Sequence, residues 1–162
     1  MKNWNDRPFE HRNLFNPAFC GAILLRSVLG YEEVDSSGMP FSLAIVVLPL
    51  CLHKETREKL ILKPKGYLLK TIVENPQILI GFPERVKELL PYTFEALGFA
   101  MHLNSFVVTE TGKLKFQKGG IRKTIEGTQE TTECQRVAGL IGKNFAKIGD
   151  RVTIYTLLGI KP

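Results

Sequence analysis

The chain has 162 residues, of which 44% are hydrophobic and 23% charged, and a net charge of +6. That length and balance suit one domain, or one domain with a small appendage, able to bury roughly 68–70% of its unfolded surface in its own core. The longest apolar run, Met39 to Leu52, is too short for a membrane span and contains Pro49, and the polar start (Lys2, Asp6, Arg7, Glu10) excludes a signal peptide. The basic surplus suits an acidic partner, whether nucleic acid, an anionic lipid surface or an acidic protein.

Residues 1–15 read as an extended arm with aromatic anchors at Trp4, Phe9 and Phe15. Asn16-Pro17 then starts a helix, because Asn caps free N–H groups and Pro at the first position loses no bond. Gly30 is expected to end that helix as a left-handed cap. Tyr31 to Gly38 is a polar acidic loop. Pro40 to Leu52 reads as a second helix, apolar almost all round and so central to the core, with Pro49 kinking or ending it.

The composition changes over His53 to Lys65, a plausible boundary between an apolar helical region (16–66) and the remainder of the chain. A short helix is expected at Tyr67–Asn75, stopped by Asn75-Pro76. Another is expected at Pro83–Leu90. Pro91-Tyr92-Thr93 should interrupt, with Thr93 capping a third helix, Phe94–Leu103, whose apolar face carries Phe94, Leu97, Ala100 and Met101. Phe106–Thr109, a turn at Glu110-Thr111-Gly112, and Lys113–Phe116 read as a β-hairpin, with Leu114 and Phe116 inward and Lys113 and Lys115 outward.

Three short helices and a hairpin in this order predict a winged-helix-like unit over 67–117, in a mainly α fold flanked by N-terminal and C-terminal helices. Gly119-Gly120 breaks the wing. The C-terminal part, 118–162, is expected to hold a helix from Thr132 to Ile148 with a stripe of Val137, Leu140, Ile141, Phe145 and Ile148. Arg136, Lys143 and Lys147 lie on its polar side. Gly149 ends that helix, and Asp150 caps a last one at Thr153–Leu158.

No chemistry stands out. Cys20, Cys51 and Cys134 are odd in number and form no CxxC pair; Cys20 and Cys51 read as core residues, which fits a reducing cytoplasm. His11, His53 and His102 show no metal spacing, and His53 reads as a cation at a helix end. Neither Gly119–Thr124 nor Gly142-Lys143-Asn144 matches a phosphate loop, and no Gly-x-Ser-x-Gly elbow occurs. These absences point to a non-enzyme without cofactor or metal.

The basic cluster Lys113, Lys115, Lys118, Arg122 and Lys123 contains no acidic residue. It reads either as a set of phosphate contacts or as lysines that protect an exposed edge strand. The preceding helix argues against base reading. Between Phe94 and Ser105 its one charge is Glu95, and Asn104 and His102 are the only base-reading candidates.

Four groups of residues also occur together in a known family. They are Arg7-Pro8-Phe9-Glu10 with Asn13 to Cys20; Gly38-Met39-Pro40-Phe41 with Leu48-Pro49-Leu50 and Leu52-His53-Lys54; Pro91-Tyr92-Thr93 with Glu95-Ala96-Leu97; and Thr153-Ile154-Tyr155 with Leu158 to Pro162. Over nearly its whole length the chain resembles the middle component of bacterial three-component ABC systems. Glu55 stands where many relatives are expected to have proline.

The resemblance implies a non-enzymatic connector between an SMC- or Rad50-like ABC ATPase and an effector, often a nuclease, in conflict systems similar to the Lamassu-type defences. It implies no catalytic residues. Trp4, Arg7, Phe9 and Phe15 are then candidates for a docking strap, or else pack on the chain's own core. The competing reading is a DNA-binding regulator that touches phosphates through the basic wing.

Overall fold

The computed structural model describes residues 6–62, 68–117, 121–122 and 124–160. Its most regular feature is the start of α2 (Pro17–Glu32), where Asn16 Oδ1 accepts from the Ala18 N–H at 2.8 Å and the Phe19 N–H at 3.4 Å. Before it, the expected extended arm contains a helix, α1 (Phe9–Leu14). Pro8 sets the entry backbone, its carbonyl accepts from the Arg12 N–H at 3.0 Å, and Glu10 lies in the positive first turn. The helix buries no residue, so no apolar stripe marks it in the sequence.

Gly30 does not end α2, which continues to Glu32. Its missing side chain serves a close approach instead. A Cβ on Gly30 would lie 2.2 Å from the Gly139 carbonyl oxygen, and one on Gly142 would lie 1.9 Å from the Ser27 carbonyl oxygen. Both glycines therefore let α2 touch α7 (Gln129–Ile148) backbone to backbone.

Met39–Pro40 forms a two-residue strand, β1, succeeded by a 3-10 turn at Phe41–Leu43 and by α3 (Ala44–Leu52). Most of α3 is fully buried, as expected. The helix runs on past Pro49 to Leu52, losing only the bond that Pro49 cannot donate. His53 separates α3 from α4 (Lys54–Ile61), and α5 (Leu68–Glu74) ends before a 3-10 turn at Pro76–Leu79.

The two helices expected on either side of Pro91 are one, α6 (Phe82–His102). Pro91 and Lys87 are both exposed, so the carbonyl left without a donor faces solvent and the helix does not break. Thr93 is no cap: its buried hydroxyl donates to the Leu89 carbonyl at 3.0 Å, one turn back. Phe94 leaves the inner face and is 48% exposed; Thr93, Ala96, Leu97 and Ala100 fill it.

The hairpin is β2 (Phe106–Val108) and β3 (Lys113–Phe116), turned at Gly112 with φ +71. Leu114 is buried and pairs across from Val108. β1 also pairs with β3, through Met39 and Leu114, and the sheet order is β1-β3-β2. The strand bearing Lys113 and Lys115 is thus central, and its lysines do not protect an edge.

α7 begins at Gln129, three residues before the expected Thr132, because Thr128 Oγ1 accepts from the Thr131 N–H at 3.2 Å. Gly149, with φ +73, ends it, and Asp150 caps α8 (Arg151–Leu157) through the Val152 and Thr153 N–H groups. Val137, Ile141 and Phe145 are buried, whereas Leu140 and Ile148 are half-buried.

One hydrophobic cluster runs from Cys20 to Leu158, with α2 between α6 and α7 and with α3 against both. Phe9–Glu32 is the one helical stretch among the described residues that is long and apolar enough to cross a membrane. Half of its most apolar window is buried inside the protein, as in a core helix.

Candidate interaction surface

The N-terminal segment is held to α6 by side chains that lie far apart in sequence. Arg7, 7% exposed, makes a bidentate pair with Glu95 at 2.8 Å for each bond. The hydrogen bond to Glu95 keeps the guanidinium's pKa above its ordinary value. Phe15 stacks on Tyr92 at 4.4 Å, and His11 meets the edge of Phe15 at 5.4 Å. Arg7 and Phe15 are therefore engaged within the chain, while Phe9 is 66% exposed. Trp4 lies outside the described residues.

Glu95, the one charge in the second half of α6, is taken up by this pair. What that half presents outward holds no other Asp, Glu, Lys or Arg: Phe94, Gly98, Phe99 and His102 are exposed, as is Leu103 just past its end. Phe94 stacks on Phe41 of the 3-10 turn with ring centroids 6.4 Å apart. On the edge strand β2, Val107 and Val108 are exposed as well, on opposite faces of the strand. Exposed apolar patches of this kind mark docking surfaces. The sequence hid this one, because Phe94 has the helical spacing of a core residue.

The hairpin lysines meet an acidic loop. Lys113 Nζ donates to Ser37 Oγ at 2.6 Å. The Asp35 carboxyl is held below its usual range first by the Ser37 hydrogen bonds and then by the Lys113 charge. The stem of Lys115 lies against Gly38, where a Cβ would be 2.8 Å from its Cγ. Glu32 Oε1 accepts from the Phe116 N–H at 3.0 Å. Arg122 is exposed, and its carbonyl accepts from Arg26 of α2. Lys118 and Lys123 lie outside the described residues.

His53 is a helix cap rather than a cation at a helix end. Its Nδ1 accepts from the Thr56 N–H at 3.4 Å and faces Thr56 Oγ1 at 2.9 Å. Burial, then the Arg85 charge, push its pKa below the ordinary histidine value. Nearby, the buried Arg57 donates to the Cys51 and Leu52 carbonyls at the end of α3 and pairs with Glu130 of α7 at 2.7 Å. Burial pushes the Cys20 thiol up to about 12 and raises those of Cys51 and Cys134, which leaves all three protonated and unreactive. Among the described residues no group of three His, Cys, Asp or Glu side chains could hold a metal ion.

Comparison with known proteins gives one match. The family model described as ABC-three component (ABC-3C) system Middle Component 3 covers residues 4–162, and the chain belongs to that family. No curated protein and no solved structure matches it.

Proposed function

From that membership we propose that the chain is a non-enzymatic adaptor, joining an SMC- or Rad50-like ABC ATPase to an effector such as a nuclease. The complex would be a cytoplasmic defence assembly of the Lamassu type. The family itself is that of an accessory middle component of ABC-3C systems. The observation that carries the reading is the length of the match, which takes in nearly the whole chain. The exposed Phe94 and Phe99 on the second half of α6, together with the exposed Val107 and Val108 of β2, support protein docking over phosphate binding. The second half of α6 and the hairpin after it would then act as a docking module.

Co-expression with the ATPase and effector encoded alongside tests it. A stable complex that co-purifies through a tag on this chain is expected. Failure of all three proteins to associate would sink the adaptor reading. Phosphate contact by the hairpin stands second, since Lys113 already faces Ser37 and Asp35. Lys113→Ala with Lys115→Ala should leave DNA affinity and its salt slope unchanged.

A further inference from the structure

The tight approach of α2 and α7 leaves a trough along their outer side, about 530 Å³ in volume. Its floor is aliphatic, formed by Leu29, Leu140 and Ile125. Its rim is cationic, formed by Arg26, Arg136 and Lys143, with Glu33 the one carboxylate among the described residues. Past Arg136 and Leu140 it continues into a second hollow of about 450 Å³ that shares both residues.

The cations differ in how they are held. Arg26 Nε donates to Oε1 of the buried Gln135, and the same guanidinium grips the Arg122 carbonyl. Lys143 pairs with Glu33 at 2.6 Å. Arg136 is exposed and, like the Arg122 side chain, has no hydrogen-bond or ion-pair partner among the described residues. Arg26 thus holds the backbone at Arg122, and on the rim itself the guanidinium of Arg136 stands beside an apolar floor with no partner among the described residues.

We propose that this trough binds an acidic segment of a partner protein, with a carboxylate on Arg136 and an aliphatic side chain against Leu29 and Leu140. The charge complementarity sets the occupant. Guanidinium forks bind carboxylates in pairs of bonds, and the aliphatic floor rewards the apolar part of a peptide. A nucleic acid strand fits less well: among the described residues no aromatic ring lines the trough for a base to stack on. A second copy in isologous contact would set cation against cation. The inference deepens the adaptor reading and rests on it for the partner being a protein.

The test is co-purification of the tagged full chain with the co-expressed ATPase and effector, comparing wild type with Arg136→Glu. Lys87→Glu, at an exposed lysine of α6 away from the trough, is the charge-matched control, and unchanged far-UV circular dichroism confirms folding. The trough variant is expected to lose at least tenfold in affinity for one component, the control less than twofold, and wild-type binding should weaken as salt rises. Wild-type affinity in the trough variant would overturn the inference and leave the adaptor reading standing. No association by the wild type would overturn both. Binding of the wild type to a fluorescein-labelled duplex, lost in the trough variant while protein partners are kept, would assign nucleic acid instead. Self-association of the chain alone, abolished by the same change, would assign a second copy.

Discussion

The central helix α2 meets its two neighbours in opposite ways. Against α7 the backbones touch, and Gly30 and Gly142 leave no space even for a methyl group. Against α6 the contact is looser: a Cβ on Gly21 would lie 3.5 Å from the Ala96 carbonyl oxygen and 3.7 Å from Ala100 Cβ, ordinary van der Waals distances. One side is a fixed seam. The other leaves room and is closed at its end by the Arg7–Glu95 pair. The proposed peptide trough is built on the fixed seam, and the docking face of α6 on the side with room. Geometry at the trough is thus set by backbone, and at α6 by side chains that can adjust.

The change that should break this contrast most severely is Gly142→Ala. Its methyl would fall 1.9 Å from the Ser27 carbonyl oxygen and 2.9 Å from the Tyr31 nitrogen, both backbone atoms that no rotamer change can move. The helices must part, at a cost of about 3 kcal/mol or more. A large fall in the urea midpoint is expected. A midpoint within experimental error of wild type would show that α2 and α7 do not touch as described.

Arg7→Ala tests the other side and should cost less, about 1–3 kcal/mol, because it leaves the Glu95 carboxylate without its partner in a part-buried site. Glu95→Ala should cost a similar amount, and the double variant less than the sum, in a double-mutant cycle read by urea unfolding. Additive losses would mean that Arg7 and Glu95 do not act as a pair.

What could be read from the sequence was local. Asn16-Pro17, Gly112, and Gly149-Asp150 each act on backbone within a few residues, and each was legible in its role. What was missed depends on a distant partner. Gly30 carries the same signal whether it caps a helix or admits another backbone, and only the position of Gly139 decides. Pro91 breaks or spares a helix according to which side faces water. β1 is two residues long and exists because β3 lies beside it. At the surface, Arg136 and Lys143 were legible as a polar stripe of α7, but their meeting with Arg26 of α2 was not. Glu95 stood out as a lone charge, with nothing in its neighbourhood to name Arg7, 88 residues away, as its partner.

A smaller effect reports on both sides at once, because His53 feels Arg85 of α6 and Arg57, which is tied to α7. Its pKa is lower folded than unfolded, so the unfolded chain takes up the proton first as pH falls. Its contribution is therefore fully present above about pH 6.5 and declines below it, until the folded ring also titrates. His53→Asn keeps a capping acceptor for the Thr56 N–H without that titration. Urea midpoints measured from pH 7.5 to 5 should show wild type losing more stability than His53→Asn. Parallel curves would mean that the ring does not cap as the neutral form.

The smallest expected effect has the opposite sign. Gly21 lies within α2, where glycine costs roughly 0.5–1 kcal/mol relative to alanine through the freedom it loses on folding. At Gly142 the same one-methyl substitution meets backbone; at Gly21 it meets ordinary contacts with Ala96 and Ala100. Gly21→Ala should therefore raise the urea midpoint slightly, by up to about 1 kcal/mol in stability. The contrast lies in the sign: one added methyl stabilises the contact of α2 with α6 and destabilises its contact with α7. A loss at Gly21 comparable with that at Gly142 would erase the distinction and make α6 as closely seated as α7. A gain would locate the molecule's spare room on the side where the docking face of α6 lies.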